Sequence, residues 1–301
     1  IMNVEGYDAR LGKYVETNPH SVLIPQIYYR HALNTFEARD YQYAGALLSM
    51  LSPAQLERSQ VDEYLFKKAY CDLENGDIDR ALLRFIELEK RPISDYSAPA
   101  RYSIAYIYYE KKAFFDAMGW FEKAAQDSRF AENSKYFIME CRFMLNDHQY
   151  VTRHGEKMYN EVADERKPHL ARIISESWLV LGNEAQARKY YDVTTDSAEE
   201  ARSRADWFYS GSVLYAVGDY KGAIESYNNM EMRADSIGQV ANYQLGYSYV
   251  QTKNKVAAIQ AFKDASMSSF DQVISEDAYF NWAKLAFDIN NDPSVFQDYI
   301  K

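Results

Sequence analysis

Cysteine is nearly absent from this 301-residue chain: Cys71 and Cys141 are the only two. A small scaffold stapled by several disulfides is therefore excluded. Basic surplus is absent as well. Lys and Arg number 34 against 44 Asp and Glu, for a net charge of -10. That balance argues against a nucleic-acid footprint and against a polybasic membrane anchor. No apolar run approaches the ~20 residues of a membrane helix, so direct membrane insertion is not expected. Motifs of catalysis are missing too. There is no phosphate loop, no HExxH and no nucleophile elbow. His148 and His154 are six residues apart, so on a helix they point to different faces and do not make a metal pair. The stretch "DINNDPSVFQDY" starts like a calcium loop at Asp288, Asn290 and Asp292. Pro293 stands where the loop needs Gly, and Tyr299 stands where it needs the bidentate Glu, so the segment reads as a turn between helices. Neither a cofactor nor a metal nor an enzymatic activity is expected.

Tyrosine is abundant, at 27 residues, and it falls in a pattern. In "WFYSGSVLYAVGDYKGAIESYNNM" (207–230), Trp207, Gly211 and Leu214 recur at helical spacing. Gly218 can adopt the left-handed conformation that ends a helix, and Asp219 can cap the next. Gly211 and Ala223 lack side chains beyond Cβ, as two helices crossing closely require. The Gly costs about 1 kcal/mol of helix propensity relative to Ala, which calls for a packing reason. The same small pair, twelve residues apart, recurs as Ala32/Ala44, Ala69/Ala81, Ala105/Ala117, Ser175/Ala187 and Gly246/Ala258. Four residues after the second member stands a large one: Leu48, Phe85, Phe121, Tyr191, Tyr227 or Phe262. A near-constant period of about 34 residues with two helices per period predicts a helical repeat array.

The repeats begin near residues 25, 62, 98, 134, 168, 204, 239 and 276. Residues 1–24 read as the second helix of a truncated preceding repeat, 25–131 as three repeats, 132–165 as a degenerate one, and 166–301 as repeats five to eight, the last truncated. In this frame all seven prolines fall between helices or at a helix start, where Pro is tolerated. The fourth repeat fits badly: twelve-residue spacing pairs Cys141 with Arg153, and Gly155 falls in mid-helix. A shorter, shifted or more mobile second helix is expected there. Cys71 and Cys141 lie two repeats apart, too far for a bridge, so two buried free thiols are expected. Ile1 precedes Met2 and the chain stops soon after Pro293, so it reads as a piece of something longer.

These units resemble the tetratricopeptide repeat. "WFYSGSVLYAVGDYKGAIESY" matches that pattern almost throughout; "YYRHALNTFEARDYQYAGALL", "YLFKKAYCDLENGDIDRALLRF" and "NYQLGYSYVQTKNKVAAIQAF" match well. The resemblance covers nearly the whole chain. It implies an all-α, right-handed superhelical solenoid of antiparallel helix pairs, about eight units, with the first helix of each pair on the concave face. At a finer level, "YVETNPHS" and "AYIYYEKKAFFDAMGWFEKA" are similar to multi-repeat proteins of the envelope of Bacteroidetes-type bacteria. That likeness implies a cell-envelope or periplasmic location, with the cytoplasm as the alternative.

Three rows of first-helix residues then face the groove. The first is Tyr29, Phe66, Tyr102, Ile138, Arg172, Phe208, Tyr243 and Phe280. The second is Leu33, Tyr70, Tyr106, Arg142, Glu176, Ser212, Tyr247 and Lys284. The third is Phe36, Leu73, Tyr109, Leu145, Leu179, Tyr215, Val250 and Phe287. Aromatic ends and a basic middle at Arg142 and Arg172 imply a groove for a protein or peptide partner, with an acidic group held at the centre. Tyr29, Tyr70, Tyr102, Tyr106, Tyr109, Tyr215, Tyr243 and Tyr247 are the tyrosines in contention. The competing reading is that these rings simply pack neighbouring repeats together. The Lys and Asn set by which the family clamps a terminal carboxylate is not reproduced. The expected function is a non-enzymatic interaction scaffold. The alternative is the interaction or sensor module of a larger regulator or enzyme whose effector region lies outside these residues.

Overall fold

The computed structural model describes residues 4–194, 203–290 and 296. Among them are sixteen α-helices and no strand. The chain falls into two compact units, 1–145 and 146–301. The first holds α1 (Val4–Thr17), the pairs α2 (Ile24–Glu37) with α3 (Tyr41–Ser49), α4 (Val61–Glu74) with α5 (Ile78–Glu89), and α6 (Ser97–Glu110) with α7 (Phe114–Ala124), and then α8 (Ser128–Met144). The second holds α9 (His148–Glu161), the pairs α10 (Lys167–Val180) with α11 (Glu184–Thr194), α12 (Arg204–Ala216) with α13 (Tyr220–Asn229), and α14 (Ser236–Gln251) with α15 (Lys255–Ser266), and then α16 (Gln272–Asn290). Within each unit the helices pack as successive hairpins, and first helices also touch first helices: α2 with α4 and α6 with α8, α10 with α12, α12 with α14, and α14 with α16.

One turn is used seven times. The first helices α2, α4, α6, α8, α10, α12 and α14 are each followed by a residue with positive φ: Arg39, Gly76, Lys112, Asn146, Gly182, Gly218 and Lys253. The left-handed residue reverses the chain so that the next amide reaches back to the helix end, as Asp219 N does to Leu214 O at 2.8 Å. The following side chain caps the second helix. Asp40, Asp77, Asp147 and Asp219 accept from the amides of Tyr43, Arg80, Tyr150 and Gly222, and Asn183 and Asn254 accept from Gln186 and Ala257. Ala113 is the exception: its backbone (φ -84, ψ 63) matches the others, but it has no capping atom. Ala113→Asp is therefore expected to stabilise the protein by about 1 kcal/mol. Urea denaturation of the two proteins measures it, and an unchanged midpoint would mean that another group already satisfies that helix end.

The small pairs are the hairpin crossings. Ala32, Ala44, Ala69, Ala81, Ala105, Ala117, Ser175, Ala187, Ala223 and Ala258 are all buried, as are Gly211 and Gly246. The large residues of the second helices sit over the first-helix members. A Cβ on Gly211 would lie 2.6 Å from Cζ of the Tyr227 ring, and one on Gly246 would lie 2.8 Å from Phe262. Cys71 and Cys141 are free and buried, and burial pushes both thiols up to about 12.

The fourth repeat corrects its expected frame. Its second helix, α9, is not short: at 14 residues it is the longest of the seven, against 9 to 12 for the others. Counted from the caps, the positions equivalent to the small pairs fall on Met139 and Val151, both buried, and not on Cys141 and Arg153. The position normally aromatic falls on Gly155. Sizes are exchanged here: large where the other repeats are small, and glycine where they carry a ring or Leu48. Gly155 accommodates Ile174 of α10, whose Cγ1 would lie 2.6 Å from an added Cβ.

Candidate binding face

Counting back from the caps aligns the first-helix rows on the structure. Moving the fourth repeat by two residues puts Tyr136, Glu140 and Phe143 in the rows where spacing had put Ile138, Arg142 and Leu145. Arg142 thus leaves the second row, and Glu140 enters it next in order to Glu176. Arg172 keeps its place, with Nη1 3.8 Å from Asp206 Oδ1. Arg142 and Arg172 lie in different compact units.

In the first unit Tyr29 is 2% exposed, and its hydroxyl donates to Glu63 Oε2 at 2.9 Å. Tyr109 donates to Glu140 Oε2 at 2.7 Å. Tyr70 is wedged edge-on against Phe36 and Tyr41, with ring centroids 5.5 Å from each. Burial, then hydrogen bonding to the Glu74 carboxylate, pushes its phenol up to about 12. Tyr102 meets Phe121 edge-on at 5.5 Å and also contacts Phe130 and Phe137. Tyr106 is the most open of the group at 39% exposure; it stacks on Tyr109 and takes Phe137 edge-on.

In the second unit Tyr243 and Tyr247 both donate to Asp277 Oδ2, at 2.8 and 2.7 Å. Their rings are 5.1 Å apart and nearly perpendicular. Tyr215 is half-buried; burial, then Tyr247, pushes its phenol up. Four phenol–carboxylate hydrogen bonds to three carboxylates, spanning 30 to 34 residues, thus join one repeat to the next. The carboxylates Glu63, Glu140 and Asp277 are parts of this face that the sequence reading did not assign. Glu63 and Asp277 each stand 34 residues after a first-row tyrosine, whereas Glu140 stands 31 after a third-row tyrosine and falls in a row only in the corrected fourth frame.

Glu176, half-buried on α10, has its pKa raised by burial, with Arg172 opposing. A raised carboxyl pKa means that the folded state holds the proton more tightly than the unfolded chain. The stability this gives is complete below the unfolded value of about 4.3 and is lost as pH rises through the folded value. Glu176→Gln should therefore gain stability over wild type between acid and neutral pH. Denaturant midpoints at a series of pH values test this, and parallel curves for the two proteins would contradict it.

Among the described residues no group of three or more His, Cys, Asp or Glu is placed to hold a metal. No described helix is long and apolar enough to cross a membrane. The turn read at 288–299 lies largely outside the described residues.

No family model and no curated protein matches the sequence. Solved structures do match. The chain is similar to a tetratricopeptide repeat protein from Parabacteroides merdae (12% identity, TM-score 0.51, covering 85% of this chain and 98% of that one). It is also similar to the C-terminal part of a TPR repeat-containing protein from Cytophaga hutchinsonii (12% identity, TM-score 0.50, covering 89% and 98%). The fold is that of the tetratricopeptide-repeat proteins, an all-α stack of antiparallel helix pairs.

Proposed function

We propose that this protein is a non-enzymatic scaffold that binds a protein or peptide partner along the first-helix faces of its repeats. The observation that carries the reading is the half-exposed aromatic surface that each unit presents by itself, from Tyr70, Tyr102, Tyr106 and Tyr109 in the first and from Tyr215, Tyr243 and Tyr247 in the second, set on helices whose backbones are fixed by repeated packing. Rigid aromatic side chains supply contact area at low entropic cost, which is why they dominate interface hot spots. Repeat stacks offer such surfaces in extended form. Arg142, displaced from its row, is no longer one of the contacts; Arg172 remains part of the proposal as a contact for acidic groups. So does an envelope location.

The test is affinity capture from separate cytosolic and envelope fractions with wild type, Tyr106→Ala and Arg172→Glu, each checked for unaltered unfolding. Tyr106 is the informative position because it is open. A partner captured by wild type and lost with Tyr106→Ala at unchanged stability supports the face. Identical captures by all three proteins would place binding elsewhere.

A further inference from the structure

Tyr29 and Tyr243 occupy equivalent places, and each donates to a carboxylate 34 residues on, Glu63 and Asp277 respectively. One turn beyond each carboxylate the two sites part. In the first unit that residue is Lys67, and in the second it is Asn281. Lys67 is buried, yet its ammonium is fully engaged. It lies 2.7 Å from Glu37 Oε1, 3.9 Å from Glu63 Oε1 and 4.1 Å from the centre of the Phe36 ring. Of these contacts only Glu63 has its counterpart in the second unit, as Asp277; the places of Phe36 and Glu37 are taken there by Val250 and Gln251.

The second site is assembled without the cation. Tyr243, Tyr247 and Asn281 all donate to one oxygen, Asp277 Oδ2, the Asn281 bond being 2.8 Å. Asn281 also donates to the Tyr247 hydroxyl at 3.0 Å. This fixes the carboxylate and both rings. Asp277 Oδ1 accepts no hydrogen bond from the described residues, and no described Lys or Arg lies within ion-pair distance of Asp277. Tyr247 is held edge-on by Phe262 at 5.0 Å. A half-buried carboxylate with one oxygen uncommitted, beside two locked phenol rings, is complementary to an ammonium: charge pairing with Asp277 adds to attraction by the ring faces.

We propose that Tyr243, Tyr247, Asp277 and Asn281 form a subsite for a lysine side chain supplied by the partner, doing from outside what Lys67 does from within. This rests on the partner-binding reading of the first-helix face and gives it a chemistry.

The probe is Nα-acetyl-lysine methylamide, with the norleucine analogue as uncharged control, observed by saturation-transfer NMR on the full chain. Two variants are compared. Asp277→Asn removes the charge. Asn281→Lys installs the internal cation, as at Lys67, and is expected to fold with an undiminished melting temperature. The expected result is saturable transfer to the lysine amide and none to norleucine, with affinity weakened about tenfold or more in both variants. Equal binding to wild type and Asn281→Lys, or no lysine binding to wild type, overturns the subsite. The two proposals fail separately. A captured partner that survives Asn281→Lys removes the lysine subsite and leaves the face. Lysine amide binding that depends on Asp277, with no partner captured by wild type, keeps the subsite and removes the scaffold reading.

Discussion

Tyr227→Ala is expected to lower the unfolding free energy by about 3–5 kcal/mol, the range for truncating a buried aromatic. Tyr227 is fully buried on α13, in a core with Val213, Leu214, Ala241 and Leu245. Its ring occupies the space that Gly211 leaves on α12, and its hydroxyl reaches Ser212 at 3.2 Å and also Gln244. The loss therefore combines a cavity with two broken polar contacts. The glycine is the other half of the same contact. Gly211→Ala alone would place a methyl 2.6 Å from Cζ of the ring, where overpacking costs about 1–3 kcal/mol. In the Tyr227→Ala background that methyl enters vacated space, and the helix-propensity gain of up to about 1 kcal/mol should emerge. The same Gly-to-Ala change thus reverses sign between backgrounds. Additive effects in the double-mutant cycle would show that ring and glycine are not one packing unit.

Most of this fold was legible because its determinants are local. The small residues, the Gly-Asp turns and the large residue four positions after most of the small pairs all lie close together in the chain, and each reports one backbone requirement. The fourth repeat misled because its sizes are exchanged. Small residues are the wrong marker where Met139 and Val151 stand at the equivalent positions. Asp147, which caps α9 as Asp219 caps α13, is the right one. The binding face was less legible. Row positions put Tyr29 and Tyr243 in one row, and each hydroxyl is tied to a carboxylate in the next repeat, Glu63 or Asp277, yet Tyr29 is buried and Tyr243 half-buried. Periodicity within one helix pair carries no trace of that partner.

The exchange of sizes gives the second large prediction. Comparison among the repeats would recommend an aromatic at 155, where Phe85, Phe121, Tyr227 and Phe262 stand in their own repeats. Helix propensity also favours replacing a mid-helix glycine, by a few tenths of a kcal/mol up to about 1 kcal/mol. The structure opposes both. Even a single carbon at 155 would lie 2.6 Å from Ile174 Cγ1 and 2.8 Å from its Cδ1. Ile174 is itself fully buried and β-branched, so it has little rotamer freedom with which to yield. Gly155→Phe should consequently destabilise by roughly 3 kcal/mol or more, the upper end for inserting bulk into a filled core. Ile174→Ala should cost about 2–5 kcal/mol in the wild-type background but much less in the Gly155→Ala background, where the added methyl takes part of the removed volume. Urea unfolding of the four proteins of that cycle, with Gly155→Phe alongside, decides the matter. A stabilised Gly155→Phe would mean that α9 can slide into the register of the other repeats, and that its glycine does not fix its seat on α10.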